Sequence, residues 1–279
     1  MNIVCYYSYD RLWPVESLRR YFEGRGDQWT EIKLWTRWRS AWGAIEAIRN
    51  ADHAFIWNGQ DIGCQWIRRA CEEEGKPWSV FEWGFFPQKE HFHIDPSGII
   101  GDSSLCGSLD WVTDEMLSAY RAFRERFLAG RGLEWKGDRD GPVLVPLQIE
   151  HDSSIIFHSP IKRMAELVQH VADAYPDREI RVVKHPVNLN QRIGEGRWKV
   201  IPGRTLDAAQ DAGLVVGLNS TSLLETALLG VPTVALARCP LASHADDPDR
   251  LLAACVARQV PKGATDLTPW LQQIGVSLA

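Results

Sequence analysis

The sequence has no run of about 18 consecutive apolar residues, the shortest stretch that spans a membrane as a helix. No basic segment precedes its first apolar run, and residues 2–7 predict a first β-strand and not a signal peptide. An excess of basic charge is also missing, because 36 acidic residues outnumber 31 Lys and Arg residues. We therefore expect a cytoplasmic protein that does not use nucleic acid as its main partner and contacts a membrane only at its surface.

The sequence gives little support for disulfides or metal sites. Its six cysteines are spread over a chain that is long enough to build a substantial core, and free buried thiols are expected. His91 and His93 lie close to Asp95, but a His-x-His pair beside one acid more often belongs to a polar loop. Hydrophobic residues make up 45% of the chain and charged residues 24%, which excludes disordered, collagen-like and coiled-coil proteins.

Short β-type runs alternate with helical patterns along the whole chain, which is typical of α/β folds with parallel sheets. Four glycines and one proline within residues 130–142 indicate a linker. We therefore predict two domains, 1–138 and 139–279, with the last helices able to pack back on the first domain. The predicted strands are 2–7, 53–57, 79–83, 143–147, 180–184, 214–217 and 233–236, and the predicted helices are 14–22, 41–50, 64–74, 113–128, 161–174, a short helix near Leu206 and 222–229.

One predicted strand of the second half ends in a motif that suits an anion. Residues 180–184 are followed by His185 and Pro186, and the proline disfavours a helix at this point. The imidazole and the Lys184 ammonium therefore lie at the carboxyl end of the strand, where open α/β sheets bind ligands. A surface turn after an edge strand is the structural alternative.

A second polar segment opens a helix after the strand 214–217. Hydroxyls and free backbone N–H groups in residues 219–222 suit a phosphate, since both are directed outward at the start of a helix. Glu225 lies about one turn further, within reach of the ribose hydroxyls beside such a phosphate. A simple N-cap at Thr221 or Ser222 is the structural alternative.

Two carboxylates also follow predicted strands, one in each half of the chain. Asp152 lies in a polar loop after the strand that leads to Gln148, and Glu82 lies beside Trp83 at the end of strand 79–83. Two carboxylates that flank a bound sugar suit the nucleophile and acid/base roles of glycosyl transfer. An N-cap aspartate and a surface glutamate are the structural alternatives.

In this order the segments resemble a known family, the bacterial capsule-polysaccharide glycosyltransferases and in particular the retaining β-Kdo transferases, which use CMP-Kdo. The resemblance runs from about residue 50 to residue 236. Where the family often has Glu-Asp-Gly, this chain has Glu82-Trp83-Gly84, which leaves one carboxylate in the motif. The other matching motifs are Asp95-x-x-Gly98, Pro146-Leu147-Gln148 with Asp152, Lys184-His185-Pro186, and Asn219-Ser220-Thr221 with Glu225 and Gly230-x-Pro232.

The resemblance implies a GT-B-like fold, in which two Rossmann-like α/β domains face each other across a cleft, the first for the acceptor and the second for the CMP-sugar. It implies that Asp152 is the nucleophile, that Glu82 assists the acceptor hydroxyl, and that His185 contacts the CMP phosphate and assists its departure. No metal or other cofactor is expected, because the donor carries a single phosphate and the D-x-D string 138–140 lies in the predicted linker. The remaining implied donor-binding residues are Lys184, Pro186, Gln148, Asn219, Ser220, Thr221, Ser222 and Glu225, the last on the ribose.

Tryptophan is concentrated in the first half, where 11 of the 13 residues lie before position 136. Aromatic faces stack on sugars and suit membrane interfaces, so the skew fits a domain for a saccharide or glycolipid acceptor. Most of these side chains are expected in the core, and Trp38 and Trp83 are chosen as acceptor contacts. Peripheral contact with the inner membrane or with other polysaccharide-assembly enzymes is compatible with this role.

Three alternatives remain open at this stage. An inverting transferase of the CMP-sialic-acid type needs the same nucleotide site, with Asp152 or Glu82 as the general base. A non-catalytic glycan-binding or assembly protein is a second alternative, although such a module does not need Glu82, Asp152 and His185 together. A sugar-nucleotide epimerase, the third, requires a UDP site, so a comparison of CMP with UDP binding discriminates it.

Overall fold

The computed structural model describes residues 1–8, 12–34 and 40–278, the last range without the side chains of residues 40–42. The chain forms two compact units, the first made of Met1–Ser104 with the stretch from Arg258 onward and the second of Leu105–Ala257. The elements are β1 (Asn2–Tyr7), α1 (Trp13–Gly24), β2 (Gln28–Lys33), α2 (Ser40–Asn50), β3 (His53–Trp57), α3 (Ile62–Glu73), β4 (Trp78–Trp83), β5 (His91–Asp95), α4 (Asp114–Ala129), β6 (Val143–Pro146), α5 (Ser153–His158), α6 (Met164–Ala174), β7 (Ile180–Val183), β8 (Lys199–Ile201), α7 (Thr205–Ala209), β9 (Leu214–Gly217), α8 (Thr221–Leu229), β10 (Thr233–Ala235), α9 (Pro240–Ser243), α10 (Pro248–Arg258), β11 (Gln259–Pro261) and α11 (Thr268–Gln273).

The division into units differs from the predicted boundary between residues 138 and 139. Helix α4 belongs to the second unit, because Tyr120 donates a hydrogen bond to Asp249 at 3.0 Å. Arg124 on the same helix donates to the backbone carbonyls of Leu228 and Leu229 at 2.6 and 3.1 Å. The stretch from Arg258 onward joins the first unit, since β11 pairs with β5. The glycine-rich segment 130–142 therefore lies inside the second unit.

The sheet of the first unit has the strand order β11-β5-β4-β3-β1-β2. Strands β1 to β4 run parallel, and β5 and β11 extend the sheet in antiparallel orientation. Successive side chains of a strand point to opposite faces, so β1 contributes Ile3 and Cys5 to one hydrophobic core and Val4 and Tyr6 to another. Helix α1 packs on the first core, and α2 and α3 pack on the second.

The sheet of the second unit is parallel throughout, with the order β10-β9-β6-β7-β8. The chain adds β7 and β8 on one side of β6, then crosses back through α7 and adds β9 and β10 on the other side. The direction of strand addition therefore reverses between β6 and β9. Ligands of doubly wound folds bind at the carboxyl ends of the strands beside such a reversal.

The prediction of an α/β fold with two Rossmann-like domains is confirmed, since helices pack on a sheet with four parallel strands in the first unit and on an all-parallel sheet in the second. Within the described ranges no helix combines the length and the apolar character that crossing a membrane requires.

Candidate functional site

The strand reversal of the second unit is bridged by two buried amide side chains. Gln148 follows β6 and Asn219 follows β9, and each is 7% exposed. Gln148 Nε2 donates to Asn219 Oδ1 at 3.0 Å, and the Asn219 backbone N–H donates to Gln148 Oε1 at 3.2 Å. Asn219 Nδ2 donates to the backbone carbonyl of Ser154 at 2.9 Å. These amides therefore hold neighbouring strand ends together, and their contact with a donor stays a prediction.

A third buried amide, Gln191, extends this bridge, and no sequence pattern marks it as a site residue. Its Nε2 donates to the backbone carbonyl of Gln148 at 3.0 Å, and the residue is 7% exposed. Its Oε1 is buried without a hydrogen-bond partner among the described residues. The loop after β7 is thereby fixed to the end of β6.

Asp152 is the N-cap of α5. One carboxylate oxygen accepts a hydrogen bond from the Ser154 backbone N–H at 2.8 Å, while the side chain stays exposed. The structural alternative of an N-cap is thus correct for Asp152, and the bond to the Ser154 N–H uses only one of its two carboxylate oxygens. An exposed carboxylate at a strand end of the proposed donor unit is compatible with the predicted nucleophile.

His185 follows β7 and Asp152 lies in the loop after the neighbouring β6, and the two side chains are close enough to interact electrostatically. Burial of the half-buried ring lowers the pKa of His185, and the nearby Asp152 carboxylate opposes this by raising it. The Lys184 ammonium donates to the backbone carbonyl of Leu189 at 2.9 Å, so it is directed onto its own loop. Pro186 is exposed at the turn of that loop. The structure therefore brings Asp152 and His185 together.

The hydroxyl groups before α8 form an N-cap. Ser220 Oγ accepts a hydrogen bond from the Ser222 backbone N–H at 3.2 Å, and Ser222 Oγ donates to Ser220 Oγ at 2.9 Å. Thr221 is the first residue of the helix and is half-buried. The cap is thus at Ser220 and not at the predicted Thr221 or Ser222, and the start of the helix lies at the carboxyl edge of the sheet.

Glu225 is half-buried on α8, one turn after its start. Burial raises the pKa of its carboxyl group, and Arg204 and Arg131 act in the opposite direction. Arg204 immediately precedes α7, the crossover helix, and the sequence patterns did not single it out. Glu225 therefore lies in a partly desolvated position with two cations nearby.

Glu82 is the penultimate residue of β4 in the first unit, and both of its carboxylate oxygens accept hydrogen bonds. Asn58 Nδ2 donates to Glu82 Oε2 at 2.6 Å, and the Trp83 backbone N–H donates to Oε1 at 2.8 Å. Asn58 has a φ of 61°, in the left-handed region that asparagine tolerates better than most residues. Asn58 thus directs its side-chain amide at the Glu82 carboxylate. The sequence patterns do not identify Asn58 as a site residue.

Trp83 and Trp38 are the tryptophans predicted to contact the acceptor, and the structure describes only Trp83. Trp83 is half-buried, with its ring centroid 5.2 Å from that of Trp57 and 6.3 Å from that of Trp13. It belongs to an aromatic cluster that packs on the core of the first unit. Trp38 lies outside the described residues.

The segment predicted as a polar loop around His91 and His93 is strand β5. Asp95 at its end is 1% exposed and accepts hydrogen bonds from the backbone of Ser97 at 2.8 Å and from Ser103 Oγ at 2.7 Å. Its carboxylate therefore organises the following loop. In the described part of the chain, no group of three or more His, Cys, Asp or Glu side chains is arranged to hold a metal ion.

The chain is similar in fold to Thermosulfurimonas dismutans KpsC, a beta Kdo 2,7 transferase, with a TM-score of 0.71, 18% identity, and coverage of 94% of this chain and 92% of that chain. A family 9 glycosyl transferase from Veillonella parvula has a TM-score of 0.26 at 12% identity, over 87% and 84% of the two chains. E. coli heptosyltransferase WaaC has a TM-score of 0.29 at 14% identity, over 84% and 88%. These two alignments are too weak to carry an argument. No protein-family model matches the sequence, and the comparison with curated proteins gives no match.

The similarity to KpsC extends over nearly the whole chain and therefore shows the fold. The predicted GT-B-like α/β architecture and the predicted resemblance to a β-Kdo transferase are confirmed at this level. Fold alone does not define an activity, because one fold hosts many chemistries. The residues at the strand ends are what a functional argument needs.

Proposed function

We propose that this chain is a glycosyltransferase of bacterial surface-polysaccharide synthesis that moves Kdo from CMP-Kdo to a saccharide or glycolipid acceptor. The observation that carries the proposal is the fold similarity to KpsC, a beta Kdo 2,7 transferase, over 94% of the chain. It is supported by the position of Asp152, His185 and the α8 N-terminus at the carboxyl edge of one parallel sheet.

The nucleotide is proposed to bind at the strand reversal of the second unit. The N–H groups at the start of α8 and the His185 ring suit a single phosphate, and Glu225 suits the ribose hydroxyls. Gln148, Asn219 and Gln191 hold these strand ends at fixed distances. Hydrogen bonding by an imidazole and the dipole of a helix N-terminus stabilise a single phosphate without a divalent ion, and metal-independent transfer is therefore part of the proposal.

The reaction is proposed to retain the anomeric configuration through two displacements. Asp152 attacks the anomeric carbon and forms a covalent Kdo ester, while CMP leaves. The acceptor hydroxyl then attacks the same carbon and releases Asp152, and Glu82 accepts the hydroxyl proton. Each displacement inverts the centre, so the two together retain it.

Incubation with CMP-Kdo in EDTA without acceptor tests this proposal. Intact and peptide mass spectrometry are expected to show one Kdo unit on the peptide that contains Asp152, and D152N is expected to show none. CMP is expected to raise the melting temperature more than UDP does, because a ligand at 100 times its Kd adds about 2.7 kcal/mol to stability.

Other outcomes select among the alternatives. An inverted product without an adduct favours the inverting, base-assisted transferase. A larger thermal shift with UDP favours a different sugar nucleotide, and binding of a glycan without any turnover of CMP-Kdo favours a non-catalytic role.

A further inference from the structure

The ring of His185 is already committed at one of its two nitrogens. The Val187 backbone N–H donates a hydrogen bond to His185 Nδ1 at 3.3 Å. The Asn188 backbone N–H donates to the His185 carbonyl at 2.8 Å, so both contacts belong to one tight turn after β7. Pro186, between them, has no N–H to compete for the ring nitrogen.

This contact fixes the tautomer of the neutral ring. A backbone N–H only donates, so Nδ1 must supply its lone pair and the proton of the neutral imidazole lies on Nε2. Protonation of the ring would place a hydrogen on Nδ1, facing the Val187 N–H, and would remove this hydrogen bond from the turn. The ring is therefore built to present Nε2–H while it remains uncharged.

The charges around the His185 ring do not reverse its preference for the neutral form. Burial is the larger influence on the pKa of His185 and favours the neutral form, and the Asp152 carboxylate at the N-cap of the neighbouring α5 is the smaller, opposing one. The adjacent Lys184 ammonium is directed to the Leu189 carbonyl. An imidazole with an unperturbed pKa of about 6.5 is thus held neutral at physiological pH.

We propose that His185 holds the phosphate of the donor nucleotide as an uncharged Nε2–H hydrogen-bond donor, and that CMP leaves without receiving a proton from it. The inference rests on the proposed function, because it assigns the chemistry of one residue in the same site. In this assignment His185 is neither a cation nor a proton donor. It positions the phosphate and keeps the same protonation state throughout.

The first displacement balances without a protein acid. The Asp152 carboxylate oxygen bonds to the anomeric carbon, the bond from that carbon to the phosphate oxygen breaks, and its electron pair leaves with CMP. One negative charge moves from Asp152 to the phosphate, which changes from a diester into a monoester. The second pKa of a phosphate monoester is about 6, so the departing group is stable as a dianion at neutral pH.

Two substitutions of His185 separate its role as a hydrogen-bond donor to the phosphate from its role as an acceptor in the turn after β7. H185Q places a neutral N–H near the position of Nε2 but loses the rigid ring, whereas H185N keeps an acceptor for the Val187 N–H in an Asx-turn and is too short to reach the phosphate. With CMP as the probe in calorimetry, H185N and H185A are expected to weaken binding about tenfold or more. H185Q is expected to bind CMP at least about fivefold more tightly than H185N, since the contact with a charged group is preserved.

Nitrogen-15 NMR of histidine-labelled protein measures the tautomer and the protonation state of the His185 ring directly. The His185 signals, assigned by their loss in H185Q, are expected to show the Nε2–H tautomer in the free protein and in the CMP complex at pH 7. An imidazolium or an Nδ1–H ring in either state, or equal affinities for H185Q and H185N, overturns the inference while wild-type CMP binding leaves the proposed function intact. Failure of the wild-type protein to bind CMP overturns both.

Discussion

At the scale of single residues, the buried histidine of β3 links stability to pH. Burial lowers the pKa of His53 to about 4, and its Nε2 lies 3.0 Å from Ser79 Oγ. An unfolded histidine titrates near pH 6.5, so between about 6.5 and 4 the unfolded chain binds a proton that the folded chain does not. The contribution of the neutral His53 ring to the free energy of unfolding is therefore complete above about pH 6.5. This contribution is lost progressively as the pH falls toward 4.

We expect the free energy of unfolding to fall by up to about 3 kcal/mol over this pH window because of His53. His53→Gln retains a hydrogen-bonding group beside Ser79 but does not titrate. Urea unfolding of the two proteins at neutral pH and near pH 4.5 measures the difference. Equal losses of stability in the wild type and the variant would contradict the assignment.

Some site residues carry no sequence signal because their role depends on a partner that is distant in the chain. Asn58 contacts Glu82 from the next parallel strand, and Gln191 contacts the backbone of Gln148, a residue 43 positions earlier. Arg204 acts on Glu225 only because α7 crosses the sheet. Asp152 and His185 are different, since the rule that polar residues at strand ends form sites predicts them without knowledge of their neighbours.

At the scale of elements, the amide bridge between β6 and β9 is the feature that mutation tests most directly. Gln148→Leu removes the hydrogen-bond partners of the buried Asn219 side-chain oxygen and backbone N–H. We expect this to lower the free energy of unfolding by about 1–3 kcal/mol. Asn219→Leu is expected to cost a similar amount for the same reason. The double variant removes both polar partners and is expected to cost less than the sum of the two.

A double-mutant cycle by urea unfolding measures this coupling, expected at about 0.5–3 kcal/mol. Gln169→Leu, an exposed change on α6, is the matched control and is expected to be additive with either substitution. Strict additivity of the Gln148 and Asn219 variants would show that the two side chains do not act as a unit.

Buried parallel strands are predictable from the sequence, whereas among the four edge strands that the structure describes only β10 lies at a predicted position. The strands β1, β3, β6 and β9 are runs of apolar residues with buried side chains, and they lie where the pattern predicts them. Strand β2 at the sheet edge has the sequence Gln-Trp-Thr-Glu-Ile-Lys and is largely exposed, so no apolar run marks it. β8 and β11 have three residues each, too few for any periodicity.

At the scale of the whole molecule, the boundary of the units depends on contacts that composition does not report. The glycine-rich segment 130–142 has the composition of a linker, yet Trp135 Nε1 donates to the Ala212 carbonyl at 2.8 Å. The Lys136 backbone N–H donates to the Gln210 carbonyl at 2.8 Å. Glycines here permit close backbone approach inside the second unit, and the chain passes between the units elsewhere.

The return of the chain to the first unit depends on Gln259. Its Oε1 accepts hydrogen bonds from the backbone N–H groups of Phe85 and Phe86 at 3.2 and 2.9 Å, and the residue is 5% exposed. Gln259→Leu leaves both N–H groups buried without this acceptor, at an expected cost of about 1–3 kcal/mol for each. Hydrogen exchange is expected to accelerate in β4 and β5, with β6 and β7 of the second unit unchanged as the internal control. Uniform acceleration in both units would contradict this separation.

The insertion of residues 105–257 into the first unit also sets an order for synthesis on the ribosome. Strands β1 to β5 are translated first, but β5 keeps an unpaired edge until β11 has been made. The second unit is continuous and can complete its own sheet as soon as it emerges. The half of the protein that begins translation first is therefore the half that finishes folding last, closed by a strand of three residues.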